Sequence, residues 1–112
     1  MVVDQTEVDL LFHALADATR RDIVRRTMDG SFSVSTLARD YPMSFAAVQK
    51  HIAILEGAGL VTKQRIGRRK VVRTDMEGFQ VARRLLDQFE DLWRGRIDRM
   101  TSLLDESKEK DR

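Results

Sequence analysis

The chain has 112 residues, a length that suits one domain with a single hydrophobic core. Its 20 Lys plus Arg nearly balance its 18 Asp plus Glu, and apolar residues make up 42% of it. Because it holds no cysteine, disulfides, cysteine-ligated zinc, iron–sulfur clusters and thiol catalysis are excluded. The start is acidic and no apolar stretch approaches the ~20 residues that cross a bilayer. We therefore expect a cytoplasmic protein without a metal, a cofactor or a membrane partner.

Two helices are predicted in the first quarter of the chain. Apolar residues at helical spacing predict a first helix over about residues 5–16, and they are Val8, Leu11, Phe12 and Leu15. Asp17 is a suitable N-cap for a second helix over residues 18–28. Gly30 then predicts a left-handed cap at its end.

Two further helices are predicted close together, joined by a short turn. Ser33 is a suitable N-cap for a helix over residues 34–41, which Pro42 ends because the residue before proline avoids helical geometry. Ser44 is the N-cap of the next helix, over about residues 45–56. Two short helices joined in this way are typical of a helix-turn-helix.

A basic β-hairpin is predicted behind this pair. Residues 60–66 and 70–74 are rich in Val, Ile and Thr, and Gly67 between them can take a positive φ. Residues 60–74 contain no acid and six bases: Lys63, Arg65, Arg68, Arg69, Lys70 and Arg73. Such a patch attracts a polyanion through phosphate contacts, although a solvated hairpin without a ligand would look the same.

A long last helix is predicted over about residues 76–104, followed by a charged tail over residues 105–112. Its apolar positions recur in steps of three and four: Ala82, Leu86, Phe89, Trp93, Ile97, Met100 and Leu104. At 1.5 Å per residue the helix spans roughly 40 Å, too far for one small domain to cover. A monomer would expose a large apolar surface, which predicts a dimer. A small-molecule pocket beside Phe89 and Trp93 is the alternative.

The fourth helix has one apolar side and one small, polar side. On a helical wheel Val48, Ile52 and Leu55 share the buried side, with Phe45 near its edge, and Ala46, Lys50 and Ala53 point away. Gln49 on one flank can pair with an adenine edge, and Lys50 can reach guanine or a phosphate. Ser44, Arg65, Arg68 and Arg69 are candidates for phosphate or minor-groove contacts. The alternative is that the alanines pack against another helix.

Three segments resemble those of ArsR-type winged-helix repressors, in the same order and spacing. Residues 14–24 (ALADATRRDIV) resemble the opening signature, residues 48–61 (VQKHIAILEGAGLV) the recognition helix and its exit, and residues 66–72 (IGRRKVV) the wing. The resemblance implies one winged helix-turn-helix domain over residues 1–112, mainly α with a small β-hairpin, in the order α-α-α-α-β-β-α. It also implies a homodimer that represses transcription by binding an inverted-repeat DNA operator.

The resemblance carries specific roles onto this chain. It implies DNA contacts from Phe45, Ala46, Gln49 and His51, although the wheel places Phe45 near the core. His51 either contacts a DNA phosphate or forms a hydrogen bond within the helix-turn-helix. Arg20 and Arg21 either lie on a solvated face or, for one of them, contact a DNA phosphate. In such proteins the first and last helices form the dimer interface, here Leu11, Phe12, Leu15, Leu86, Phe89, Trp93, Ile97 and Met100.

Many relatives sense metals through Cys or His ligands, and this chain has no Cys and no His after His51. The nearest resemblance is to a Cys-free branch that carries a Phe-Ala-Ala-Val-Gln-Lys-His segment, and whether an effector exists is left open. A winged-helix module that binds a protein instead of an operator is the alternative function, since fold alone does not fix function. An enzyme is not expected, because no acid–base dyad, phosphate loop or paired carboxylate is evident.

Overall fold

The computed structural model describes residues 5–110, and the side chains of residues 5–106. They form two compact units, residues 5–81 and residues 82–110. The order of elements is α1 Gln5–Leu15, α2 Ala18–Asp29, β1 Phe32–Ser33, α3 Val34–Arg39, α4 Phe45–Gly57, β2 Val61–Ile66, β3 Arg69–Thr74 and α5 Met76–Lys110. The first unit contains everything as far as the first turns of α5, and the second is the remainder of that helix.

Side-chain caps set the start of three helices, as the sequence predicts. Asp17, Ser33 and Ser44 each accept a hydrogen bond from the backbone N–H three residues later, at 3.1 Å in each case. The bond from the Arg20 N–H lowers the pKa of Asp17 below its ordinary value, because it favours the ionised carboxylate.

The predicted left-handed cap at Gly30 is wrong. Gly30 has φ 171° and ψ −173°, which is extended backbone. The reason lies just downstream, where the chain enters β1 and forms antiparallel pairs with β3, Phe32 with Val72 and Ser33 with Val71. An extended exit leads directly into that strand.

The hairpin is confirmed and gains a third strand. β2 and β3 pair antiparallel from Val61 with Thr74 to Ile66 with Arg69, and Gly67 in the turn has φ 63°. The sheet order is β1-β3-β2. The two-residue strand β1 was not predicted, because two residues show no alternation.

One hydrophobic core holds the first unit together, and helices α1 to α4 and strands β2 and β3 all contribute to it. α2 packs on α1, α4 and β3, and α3 packs on α4. The largest side chains below 2% exposure are Ile23, Leu37, Val48, Ile52, Leu55, Leu60, Val61 and Val72.

A polar cluster fixes the helix-turn-helix turn on α2. The Tyr41 hydroxyl donates to Asp22 Oδ2 at 2.6 Å, and Arg26 donates to Asp40 Oδ2 at 2.6 Å. The Arg26 guanidinium also stands 4.9 Å from the ring centre of Phe32. The hydrogen bond from Tyr41 lowers the pKa of Asp22. The pKa of Tyr41 is raised, mainly because its hydroxyl is partly buried and secondly because it donates to the Asp22 carboxylate.

The last helix extends beyond its predicted end at Leu104 and reaches Lys110. Residues 105–110 are rich in Glu and Lys and lack Gly and Pro, so they favour helix even without apolar contacts. Part of the predicted tail is therefore helical, and residues 111–112 lie outside the described residues. No helix within residues 5–110 has both the length and the apolar character of a membrane span.

The start of α5 lies directly against the connection between α4 and β2 at a glycine contact. Asp75 caps α5 by accepting from the Glu77 N–H at 3.0 Å. A Cβ on Gly78 would overlap the carbonyl oxygen of Gly59 and lie 3.3 Å from the Leu60 nitrogen. Both neighbours are backbone atoms, which cannot move aside as a flexible side chain can.

We predict that Gly78→Ala destabilises the fold by at least about 1–3 kcal/mol, because the added methyl overpacks this contact. Gly57→Ala is the matched control, since a Cβ there meets nothing within 4 Å in a helical position and should be neutral or slightly stabilising. Urea unfolding followed by circular dichroism measures both. Equal stability of the two variants would contradict the contact.

Candidate nucleic-acid interface

α4 has the two faces that the wheel predicts. Val48, Ile52 and Leu55 are at most 1% exposed and pack in the core. The opposite surface is exposed at Ala46, Gln49, Lys50 and Ala53, with Ala47 and Ile54 half-buried at its margin. The side that faces solvent is therefore small and polar, which leaves room for close approach to another surface.

Phe45 belongs to the exposed surface. The wheel predicts a place near the edge of the core, whereas the side chain is 49% exposed. Phe45 is the first residue of α4, directly after the Ser44 cap, so no preceding turn covers it. The exposure removes the geometric objection to Phe45 as a contact residue.

A groove joins α4 to the wing, which is the β2–β3 hairpin. It has a volume of about 320 Å³. Its walls come from the start of α3, from α4 and from the wing: Ser33, Val34, Ser35, Arg39, Phe45, Gln49, Arg68, Arg69 and Lys70. Gln49 and Lys70 also line a small recess with Lys63. Phe45 and Gln49 of α4 thus share one surface with Arg68 and Arg69 of the wing.

The groove is basic because the wing supplies cations without acids. Residues 62–70 are exposed throughout, and Arg65 Nε donates to the Gly67 carbonyl within the turn at 3.2 Å. Lys63 lies 3.9 Å from Glu56 Oε1. Arg39 was not among the predicted contacts, because only the folded chain shows that α3 and the wing face the same groove.

Ser44 keeps a donor for a ligand while it caps α4. Its Oγ accepts from the Ala47 N–H at 3.1 Å, and an accepting hydroxyl can still donate its own proton. Ser44 is exposed at the start of a 13-residue helix, where partial positive charge favours an anion.

Arg20 is neither a solvated side chain nor a free cation for a phosphate, so both roles considered for it are wrong. Its side chain is buried, with the residue only 8% exposed. Nε donates to the Ala14 carbonyl at 2.8 Å and Nη2 to the His13 carbonyl at 2.9 Å, so the guanidinium caps the end of α1. Arg21 binds the Leu15 carbonyl at 2.7 Å but remains exposed. Carbonyl acceptors have no sequence signature, so this role was missed.

His51 bonds to Arg20 on α2, which lies outside the α3–α4 pair within which an internal bond was predicted. Its Nδ1 lies 3.1 Å from Arg20 Nη1 and 3.9 Å from Asp17 Oδ2. The side chain is 20% exposed, so it also remains accessible from outside.

The predicted interface residues fall into two groups. Phe12 on α1 is exposed, and so is the α5 seam, which consists of Leu86, Phe89, Trp93, Ile97 and Met100. Leu15 is half-buried, and Leu11 lies in the core of its own protomer at 6% exposure. A partner cannot reach Leu11 in this fold, because the helical period turns it toward the core.

The part of the chain that the structure describes contains no cluster of potential metal ligands. Within residues 5–106 no three His, Cys, Asp or Glu side chains lie together as a metal site requires.

Comparison with known proteins agrees with this geometry. A helix-turn-helix domain family matches residues 15–64. The HTH-type transcriptional regulator Rv2034 of Mycobacterium tuberculosis is 43% identical over 81 residues, which are 72% of this chain and 76% of the relative.

Solved structures show the same fold. The ArsR family transcriptional regulator RHA00566 superposes with a TM-score of 0.77 at 31% identity, over 84% of this chain and 97% of that one. A homodimeric winged helix-turn-helix DNA-binding domain from Mycobacterium bovis, at 22% identity, superposes with a TM-score of 0.63 over 81% of this chain and 91% of that one. This assigns the chain to transcriptional regulation rather than catalysis: it belongs to the ArsR family of winged helix-turn-helix transcriptional regulators.

Proposed function

We propose that the protein is a homodimeric repressor that binds an inverted-repeat operator in double-stranded DNA. The observation that carries the proposal is the groove in which Phe45 and Gln49 of α4 meet Arg68, Arg69 and Lys70 of the wing. A base-reading side chain and a cluster of cations on one surface suit recognition of a DNA duplex, because contacts to bases give sequence specificity and contacts to phosphates orient the protein.

In the proposed complex α4 is the recognition helix and enters the major groove. Its exposed alanines allow close approach and can touch thymine methyl groups, Gln49 pairs with an adenine edge, and Lys50 reaches guanine or a phosphate. Phe45 adds an apolar contact at the start of the helix. His51 lies at the opposite flank from Gln49 and is proposed to meet the backbone.

The wing and the α4 cap hold the backbone. Arg65, Arg68 and Arg69 are exposed around a tight turn, a shape that fits a phosphate row or a minor groove. Ser44 can donate to a phosphate from the start of α4. These contacts give affinity and orientation with little sequence preference.

A second copy of the chain is proposed to cover the α5 seam together with Phe12 and Leu15. The seam presents a row of exposed apolar side chains over about four turns of helix, far more than a stable monomer leaves in water. Two subunits would place two recognition helices about one turn of DNA (~34 Å) apart, and an operator with two-fold symmetry follows. Repression would come from occupying the promoter.

We predict that the two kinds of contact separate by mutation. Arg68→Ala and Arg69→Ala should weaken binding to every sequence and lower the salt slope by ~0.9 for each phosphate that is no longer neutralised. Gln49→Ala should change sequence preference, because it removes a base contact worth about 1–3 kcal/mol. Fluorescence anisotropy over a range of salt concentrations measures both.

Arg25→Ala is the matched control for these arginines. Arg25 is exposed but forms an ion pair with Asp22, so its charge is already compensated and its removal should leave the salt slope unchanged. If Gln49→Ala left affinity and preference intact, the docking of α4 would be wrong.

We also predict that Trp93→Asp or Phe89→Asp produces monomers and abolishes operator binding, because a buried unpaired carboxylate opposes association at the seam. Gln88→Asp is the control, since residue 88 lies about 140° from the centre of the seam on the wheel. Sedimentation velocity gives the oligomeric state. A dimeric Trp93→Asp variant would show that the interface lies elsewhere.

A further inference from the structure

His51 lies in a network that joins the recognition helix to the end of α1 and the start of α2. Arg20 Nη1 is 3.1 Å from His51 Nδ1, and the same guanidinium donates to the Ala14 and His13 carbonyls at 2.8 and 2.9 Å. Asp17 Oδ2, which accepts from the Arg20 N–H, is 3.9 Å from the same ring nitrogen. Three polar bonds from one buried side chain therefore fix where the imidazole stands.

This geometry determines where the His51 proton resides. An arginine guanidinium has N–H donors and no acceptor, so the facing Nδ1 must accept. The ring is then neutral, with its proton on Nε2. A protonated ring would place its Nδ1–H against the guanidinium N–H of Arg20, donor against donor. The Asp17 carboxylate could not accept that proton instead, because its 3.9 Å distance from Nδ1 is too long for a direct hydrogen bond.

The position of His51 on α4 shows what its Nε2–H can meet. His51 lies about 60° from the buried direction marked by Val48, on the flank away from Gln49 and the wing. It is half-buried, in contrast to the exposed Ala46 and Lys50 on the base-reading side. At the edge of a helix in the major groove, the nearest acceptor is a phosphate oxygen of the DNA backbone.

We propose that Arg20 is a positioning residue that fixes His51 as a neutral Nε2–H donor to a DNA phosphate. The inference rests on the proposed function, because it needs α4 in the major groove. It adds a backbone contact of different character from those of the wing: a neutral donor contributes affinity for all sequences without releasing a counterion.

Two substitutions of His51 separate its two bonds. Asparagine in His51→Asn places its Oδ1 near the position of Nδ1 and can accept from Arg20, but it has no donor that reaches the position of Nε2. Glutamine in His51→Gln extends an amide N–H to the Nε2 position but offers no acceptor to Arg20, so a buried guanidinium loses a partner.

We expect His51→Asn to keep a melting temperature near that of the wild type and to reduce DNA affinity about tenfold per protomer, for every sequence and with an unchanged salt slope. His51→Gln should melt at a lower temperature and keep more of the affinity. Wild-type affinity in His51→Asn would overturn the phosphate contact. A salt slope lowered by ~0.9 per protomer would show instead that His51 binds as a cation.

The role of Arg20 has its own test, without DNA. In the free protein at neutral pH, ¹⁵N NMR of the His51 ring should show an unprotonated Nδ1 and a protonated Nε2. Arg20→Lys keeps the charge but cannot reach two carbonyls and the ring together, so the protonated Nδ1 form should appear; Arg21→Lys, outside the network, should leave the tautomer unchanged. Predominance of the protonated Nδ1 form in the wild type would overturn the proposal.

Arg20→Lys should also lower DNA affinity, and the double variant with His51→Asn should show a smaller reduction than the sum of the two, because both act through one contact. If the two reductions in DNA affinity simply added in the double variant, Arg20 would not act by positioning His51.

If Arg20→Lys fails to fold, the tautomer of His51 in the wild type and the DNA affinity of His51→Asn still test the inference. If Arg69→Ala and Gln49→Ala also leave DNA binding unchanged, the proposed function fails; if only His51→Asn does so, the inference alone fails.

Discussion

The surface that we propose for DNA recognition depends on the burial of one face of α4. Val48, Ile52 and Leu55 lie in the core, and this anchoring turns Gln49, Lys50 and the exposed alanines outward as one rigid face. Burial of Val48, Ile52 and Leu55 contributes roughly 1.5–3 kcal/mol for each side chain, relative to exposure to water. Rotation of the helix by about half a turn would expose the apolar side chains and bury Lys50, so the burial energy that holds the domain together also fixes the direction of this surface.

Around this anchor, polar contacts hold the ends of the elements where they are needed. The Ser44 cap sets the first turn of α4, and Tyr41 fixes the preceding turn on Asp22. Arg20 connects the end of α1 to His51 on the far flank of α4. The element that we place in the dimer interface and the one that we place on DNA thereby share one buried guanidinium.

Sequence reasoning predicted what depends on local pattern. The three N-caps, the Gly67 turn and the two faces of α4 all follow from residues close together in the chain, and each was confirmed. The relationships that it missed are long-range. β1 exists because β3 lies beside it, Arg20 is buried because two carbonyls and His51 surround it, and Arg39 joins the groove because α3 and the wing converge there. Gly30 failed as a cap for the same reason, since the strand that follows sets its backbone.

Selection from random double-stranded DNA would show directly whether α4 and the wing of two subunits read an operator as a symmetric pair. Bound pools would be sequenced at low and at moderate salt. We expect enrichment of an inverted repeat with half-sites about ten base pairs apart, and binding that weakens as salt rises. Salt-sensitive binding without enrichment would contradict base reading by Gln49 and Lys50. Absence of binding at either salt would contradict the DNA-binding role and would favour a winged-helix module with a protein partner.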